Sequence, residues 1–229
     1  MKDKLFQKYD EIFQKYSNIY FGNNLIKRGF VFQYDNDEQN ADLLFMGINP
    51  SYTIKNEENN YLRDAYSRNA DINYFKAFNA INEKLLESKV GYNGIYTHID
   101  LLVFRETNQK FINSVMNTPN GCDFLMEQLE IAKQRLIYIR PKIVIVCNSK
   151  AREFLGKDKS IKKNGKINGV WMGLEFKFDD EQGAHKVTNI PELKNTYFLF
   201  SSMLSGQRAL DTGSRERMIW QIKRILKQY

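Results

Sequence analysis

Cysteine and histidine are both scarce in this 229-residue chain. Cys122 and Cys147 are the only cysteines. Two thiols cannot complete a four-thiolate zinc or iron–sulfur site, and they provide no secreted disulfide framework. The reading that follows is a reducing cytoplasm. His98 and His185 are the only histidines, and neither has partners at metal-ligand spacing. No metal or other cofactor is expected. No apolar run approaches the roughly 18 residues of a membrane span. Met1-Lys2-Asp3-Lys4 has no apolar core behind it, so it does not read as a signal peptide. A Gly-x-x-x-x-Gly-Lys-Ser/Thr loop is missing, which excludes a P-loop. No Gly-x-Gly-x-x-Gly follows a strand, which argues against a dinucleotide fold. Ser-His-Asp hydrolysis lacks its nucleophile elbow. There is no internal repeat and no low-complexity linker.

The hydrophobic fraction of 42% and the aromatic fraction of 14% suit a well-packed globular chain. The length suits one α/β domain over 1–229. At this size folding buries about 70% of the unfolded surface, so no staples are needed. Net charge is +7, from 34 Lys and Arg against 27 Asp and Glu. That surplus fits a polyanion partner, most simply nucleic acid, and equally fits a Lys-rich solvated surface.

The stretch Leu43-Leu44-Phe45-Met46-Gly47-Ile48-Asn49-Pro50 starts as an apolar run and stops at turn residues. It reads as a central strand buried on both faces, as in a parallel sheet covered by helices. Ligands of such sheets bind beyond the carboxyl ends of the strands. Asn49 at that edge either caps a strand-to-loop turn or holds a water or the polar edge of a ligand.

Apolar positions from Leu5 to Ile19 recur at helical spacing and predict an N-terminal amphipathic helix over about 3–21. A short apolar piece follows near Phe30. Ser51 to Asn73 reads as a long loop, of the kind that is often functional. Phe75 to Leu86 reads as a helix and Ile95 to Phe104 as a second strand. Arg105-Glu106-Thr107-Asn108-Gln109 then forms a polar patch at the same sheet edge as Asn49. Cys122 to Ile139 is helical and Arg140-Pro141 stops it. Ile143 to Cys147 is a third strand, and Asn148-Ser149 opens a short helix. Lys157 to Gly169 is a basic loop, Val170 to Phe178 an outer strand, and Tyr197 to Phe200 a last core strand. Ser214 is placed to cap a final helix. This order predicts a three-layer α/β/α sandwich around a mostly parallel four-stranded sheet.

Asn49-Pro50-Ser51-Tyr52 echoes the Asn-Pro-Pro-Tyr loop of amino-group DNA methyltransferases, but no Gly-rich loop for a methyl donor accompanies it. A longer likeness is better placed. Gly47-Ile48-Asn49-Pro50 resembles motif 1 of the mismatch-specific branch of the uracil-DNA glycosylase superfamily. Ile95–Phe104 takes the place of the strand that faces the base. Arg140-Pro141-Lys142-Ile143-Val144-Ile145-Val146 resembles the third strand region. Ser202-Met203-Leu204-Ser205 lies where the family has motif 2. The likeness spans roughly Asp42 to Leu226.

This resemblance implies a uracil-DNA glycosylase-like domain that hydrolyses the N-glycosidic bond of a base flipped out of duplex DNA. The chain would act as a monomer. Asn49 would be the catalytic residue and align a water onto C1′. Backbone amides at Gly47 and Ile48 would hold a base carbonyl. Tyr52 or Tyr61 would stack on the base. His98 or Asp100 would read its edge, or serve only the structure. Ser51, Ser201, Ser202 and Ser205 would meet phosphates, with Arg208 and Arg215 adding charge. Leu204 would wedge into the gap in the duplex. The chain departs from the family pattern in three places. Motif 2 has no histidine, only Ser201 and Ser202 near its place. Asn49 stands where the most active branch has Asp. Ser51 stands where the uracil-strict branch has a Tyr that blocks 5-substituted bases. An alternative follows from the missing histidine: a nucleic-acid-binding protein on the same fold without chemistry.

Overall fold

The apolar run forms β2 (Leu43–Gly47), all of it buried. In the computed structural model, residues 2–22, 24–33, 39–52, 62–66 (backbone only), 73–88, 91–156, 171–206 and 209–229 are described. β2 lies between β4 (Tyr96–Asp100) and β5 (Ile143–Val146), and β5 pairs in turn with β8 (Tyr197–Phe200). All three pairings are parallel. The sheet does not stop at these four strands. β7 (Ala184–Val187) pairs antiparallel with β8, and β6 (Phe176–Asp179) antiparallel with β7. The order is β4-β2-β5-β8-β7-β6, a mixed six-stranded sheet instead of the expected four. The expected outer strand is found as β6, which begins only at Phe176; β7 was not expected, because it has only four residues. A weak apolar pattern over so few residues carries little strand signal.

A second correction concerns the stretch expected to be one long loop. It contains β3 (Leu62–Tyr66), which pairs in parallel with β1 (Gly29–Gln33) as a separate two-stranded sheet. The basic stretch 157–170 lies outside the described residues.

Alternation along β2 sets up two cores. Leu43 and Phe45 face α2 (Asn73–Leu86) and α6 (Thr212–Leu226), against Phe75, Phe78, Ile81, Ile219 and Ile222. Leu44 and Met46 face the opposite side, with residues of α1 (Lys2–Lys15), α4 (Gly121–Ile139) and α5 (Ser149–Leu155). Helices therefore cover both faces of the sheet. Phe45 stacks flat on Phe78 with ring centres 4.3 Å apart. The α1 helix ends earlier than its apolar pattern suggested and buries Leu5, Tyr9, Ile12 and Phe13. A short helix not expected from the sequence, α3 (Phe111–Met116), precedes α4.

Caps set where two helices begin. Asn148 caps α5 as expected, its side chain accepting from the Lys150 amide at 2.8 Å. For α6 the cap is Asp211, not Ser214. Asp211 Oδ1 accepts from the Ser214 amide at 2.9 Å and Oδ2 from the Ser214 hydroxyl at 2.6 Å. A carboxylate three residues upstream fills the N-cap role and also suits the positive helix end. Among the described residues no helix is long and apolar enough to cross a membrane.

The chain beyond β4 stays tied to β2. Leu101 and Leu102 amides donate to the carbonyls of Gly47 and Ile48 at 3.2 and 2.9 Å. Gln128 of α4 is fully buried beneath this segment. Its Oε1 accepts from the Val103 amide at 3.0 Å and its Nε2 donates to the Phe124 carbonyl at 2.9 Å. Gln128→Leu leaves the Val103 amide buried without a partner. It should lower unfolding stability by roughly 1–3 kcal/mol, read from the urea midpoint.

Candidate functional site

The parallel strands end side by side at Gly47, Asp100, Val146 and Phe200. A cavity of about 440 Å³ opens at that edge, within the range of about 300–1,000 Å³ usual for small-molecule sites. Gly47 to Ser51 line it from β2, and Asp100 and Arg105 to Thr107 from β4 and its continuation. Cys147 and Asn148 follow β5, Met203 and Leu204 follow β8, and Tyr74 and Phe75 come from the first turn of α2.

Asn49 lines this cavity and is half-buried. Its Nδ2 donates to the Glu106 carbonyl at 2.6 Å and the Pro50 carbonyl at 2.9 Å, with the Phe104 carbonyl at 3.5 Å. Three carbonyl oxygens accept only from a donor, so the NH₂ must face them. The amide cannot rotate to exchange its ends. Oδ1 takes no protein hydrogen bond among the described residues and keeps its lone pairs for a ligand or water. Asn49 therefore does more than cap its own turn: it ties the end of β2 to the loop after β4.

Asp100 ends β4 and is buried. Burial pushes its carboxyl up to about 7, against the opposing pull of the positive charge on Arg135. A Cβ on residue 47 would collide with Asp100 Oδ1, so only glycine leaves this carboxyl its place beside β2. His98 lies one turn of the strand pleat deeper, fully buried between the rings of Tyr74, Phe75 and Phe78. Its Nδ1 lies 2.6 Å from Gln33 Oε1, and its Nε2 lies 3.4 Å from the Tyr74 hydroxyl and 3.6 Å from Asp100 Oδ1. Cys147 is buried too, and burial drives its thiol strongly upward, so it is protonated at neutral pH and not a thiolate nucleophile.

The rim is held by charge. Arg28 Nη1 meets Glu106 Oε2 at 2.8 Å, and the Asn108 amide donates to Glu106 Oε1 at 2.8 Å. The Arg28 guanidinium stacks on the Tyr52 ring at 4.1 Å, with Arg105 at 5.2 Å from the same ring. Burial lowers the Arg105 pKa, and the nearby Arg28 charge acts in the same direction.

The other expected site residues fall in different places. Tyr52 packs between two arginines and is not part of the cavity wall. His98 sits behind the wall and does not line the cavity. Leu204 is buried against the α2–α6 core and lines the cavity; it does not project as a wedge. Ser51 is exposed at the cavity mouth. Ser201 donates its amide to the Val146 carbonyl at 2.9 Å, while its hydroxyl is buried without a partner. Ser202 is exposed and Ser205 half-buried, and both lie off the cavity wall. Arg215, in the first turn of α6, has its Nε buried without a partner. Tyr61 and Arg208 lie outside the described residues.

Three contributors escaped the sequence reading. Arg28 joins Glu106 across 78 residues, a separation no local pattern reports. Tyr74 hides within the apolar spacing of α2, and Cys147 within the strand that precedes α5. Among the described residues no three His, Cys, Asp or Glu side chains cluster as metal ligands would. Compared with models of known protein families and with curated proteins, the chain finds no match in either.

Asn49→Asp would set a carboxylate against three carbonyl oxygens. It should destabilise the native state by roughly 1–3 kcal/mol at neutral pH, less in acid, as urea unfolding would report. Asp100→Asn should do the reverse. The Asp100 carboxyl moves from 3.8 up to about 7 on folding, so the native state loses stability as pH rises from about 4 to about 7. The asparagine variant has no such loss. Its melting temperature should exceed wild type by a margin that grows across that window and corresponds to a few kcal/mol at most.

Proposed function

We propose that this chain is a DNA glycosylase-like hydrolase. Its substrate is a flipped-out base that is uracil-related, mismatched or otherwise modified, held in the cavity beyond β2. The observation that carries this reading is Asn49: a neutral amide at the cavity wall whose NH₂ is locked to backbone carbonyls and whose oxygen is left over. Gly47-Ile48-Asn49-Pro50 matches motif 1 of the uracil-DNA glycosylase superfamily, and the four parallel strands give a core of the kind that superfamily uses. The finer assignment to that fold is part of the proposal.

The chemistry follows from the residue types. Asn49 Oδ1 accepts a hydrogen from water and turns a water lone pair toward C1′ of the sugar. It aligns the nucleophile and does not remove its proton. The C1′–N bond breaks with its electrons passing to the base, and the water oxygen bonds to C1′. Amides near Gly47 and Ile48 favour the negative charge that grows on the base. The surplus of 34 basic over 27 acidic residues suits a phosphate backbone. Ser51 leaves the mouth of the cavity open to a base with a 5-substituent or to a purine.

A second reading keeps the nucleic-acid partner and drops the chemistry. It is favoured by the region after β8, where Ser201 and Ser202 stand near the place of the family's histidine. Abasic-site formation separates the two. Duplexes carrying uracil, a thymine mismatch, hypoxanthine or a modified cytosine should yield abasic sites with wild type. Asn49→Ala should release base about a hundredfold more slowly, with unfolding followed in parallel because that variant also loses a loop tie. Binding without base release by wild type would favour the second reading, and release of uracil alone would remove the open-pocket idea. Calorimetric binding of a methyl-donor nucleotide would instead support a methyltransferase.

A further inference from the structure

Asp100 and His98 have no part in holding a water on Asn49, yet Asp100 lines the same cavity. We infer that Asp100, held by His98, is the acid that delivers a proton to the departing base. The site then serves bases that leave poorly as anions, namely purines such as hypoxanthine or cytosine derivatives. This rests on the glycosylase reading above.

The geometry has three parts. Gly47 carries no side chain where the Asp100 carboxyl sits, so Oδ1 lies directly over the end of β2, the strand that also presents Asn49. His98 is oriented by Gln33. Oε1 of Gln33 is an acceptor, so the His98 Nδ1 at 2.6 Å carries the hydrogen, and in the neutral imidazole Nε2 then presents a lone pair. That lone pair faces Asp100 Oδ1 at 3.6 Å. It repels a carboxylate and favours a carboxylic acid. The groups around Asp100 complete the balance. Tyr74 comes from α2, the protonated Cys147 follows β5, and Arg135 of α4 supplies an opposing positive charge. Arg105 and Glu106 share the cavity, with Glu106 held in its ion pair with Arg28. Burial outweighs Arg135, and the carboxyl stands at about 7.

The proton count closes. The C1′–N bond breaks and its electron pair passes into the base. The Asp100 O–H proton moves to a ring nitrogen or carbonyl oxygen of the base, which departs neutral. Asp100 is left as a carboxylate in the field of Arg135. The water on Asn49 adds hydroxyl to C1′, and its remaining proton returns through solvent to Asp100. Uracil leaves as a delocalised anion and needs this proton least. A placed acid contributes about 10²–10⁴-fold when the leaving group does need it.

Single-turnover base release by the full chain tests this, on duplexes with uracil, hypoxanthine or 5-methylcytosine, over about two pH units either side of neutrality. For hypoxanthine or 5-methylcytosine, wild-type rates should fall as pH rises above about 7. Asp100→Asn should be at least about a hundredfold slower on that base and lose the fall. On uracil the loss should be at least about tenfold smaller than on that base. The duplex on which the effect appears identifies the purine or the cytosine class. Release of either base by Asp100→Asn at the wild-type rate, or release of uracil alone, overturns the acid role and leaves the glycosylase reading standing. Absence of release from every duplex by wild type overturns both. If the variant fails to fold, the Asp100 carboxyl carbon NMR shift of wild type decides: titration near neutrality supports the acid, and ionisation throughout overturns it.

Discussion

One side-chain amide holds the cavity edge together. The Asn49 NH₂ reaches the carbonyls of Pro50 and Glu106, and the Glu106 amide returns to the Pro50 carbonyl at 3.0 Å. These bonds tie the end of one central strand to the loop beyond its neighbour. The backbone of that loop leaves the sheet and must find partners elsewhere. Asn49 supplies them from β2, Gln128 from α4 and Val31 from β1. Because the amide is spent on structure at its nitrogen, its orientation is fixed and its oxygen takes no hydrogen bond among the described residues. The same residue is thus a tie and a candidate catalytic group, and the two roles use different atoms.

The charge pattern follows from what burial allows. An isolated charge in a dry site is expensive unless paired. Glu106 is buried and keeps a partner, with Arg28 on one oxygen and a backbone amide on the other. Asp100 and Cys147 take the other course, and burial moves both toward the protonated form. One wall of the cavity therefore presents a carboxyl raised to about 7 and a protonated thiol, while the rim carries the ions.

The departures from local reading share a cause. A strand of four residues such as β7 is too short to write an alternating pattern. β3 takes its strand identity from pairing with β1, more than thirty residues earlier, in a sequence too polar to announce it. The resemblance gives Tyr52 a stacking role and Leu204 a wedge. In the fold one is clasped by Arg28 and the other is packed under α6. Ser214 looked like a cap by residue type, but Asp211 holds the helix start and Ser214 bonds to it.

Sequence alone determined the elements whose signal is local and dense. The β2 run, the helical spacing of α2, α4 and α6, the alternation of strands and helices, and Asn49 at a strand end were all legible. Each depends on a period or a turn residue within about 15 positions. So was the polar patch after β4, at the same edge as Asn49. Tertiary structure alone decided which polar groups meet there. Arg28 with Glu106, His98 with Gln33, and Asp100 over Gly47 join segments far apart in the chain. Their protonation and orientation depend on burial and on partners across the sheet, and neither is written in the order of nearby residues.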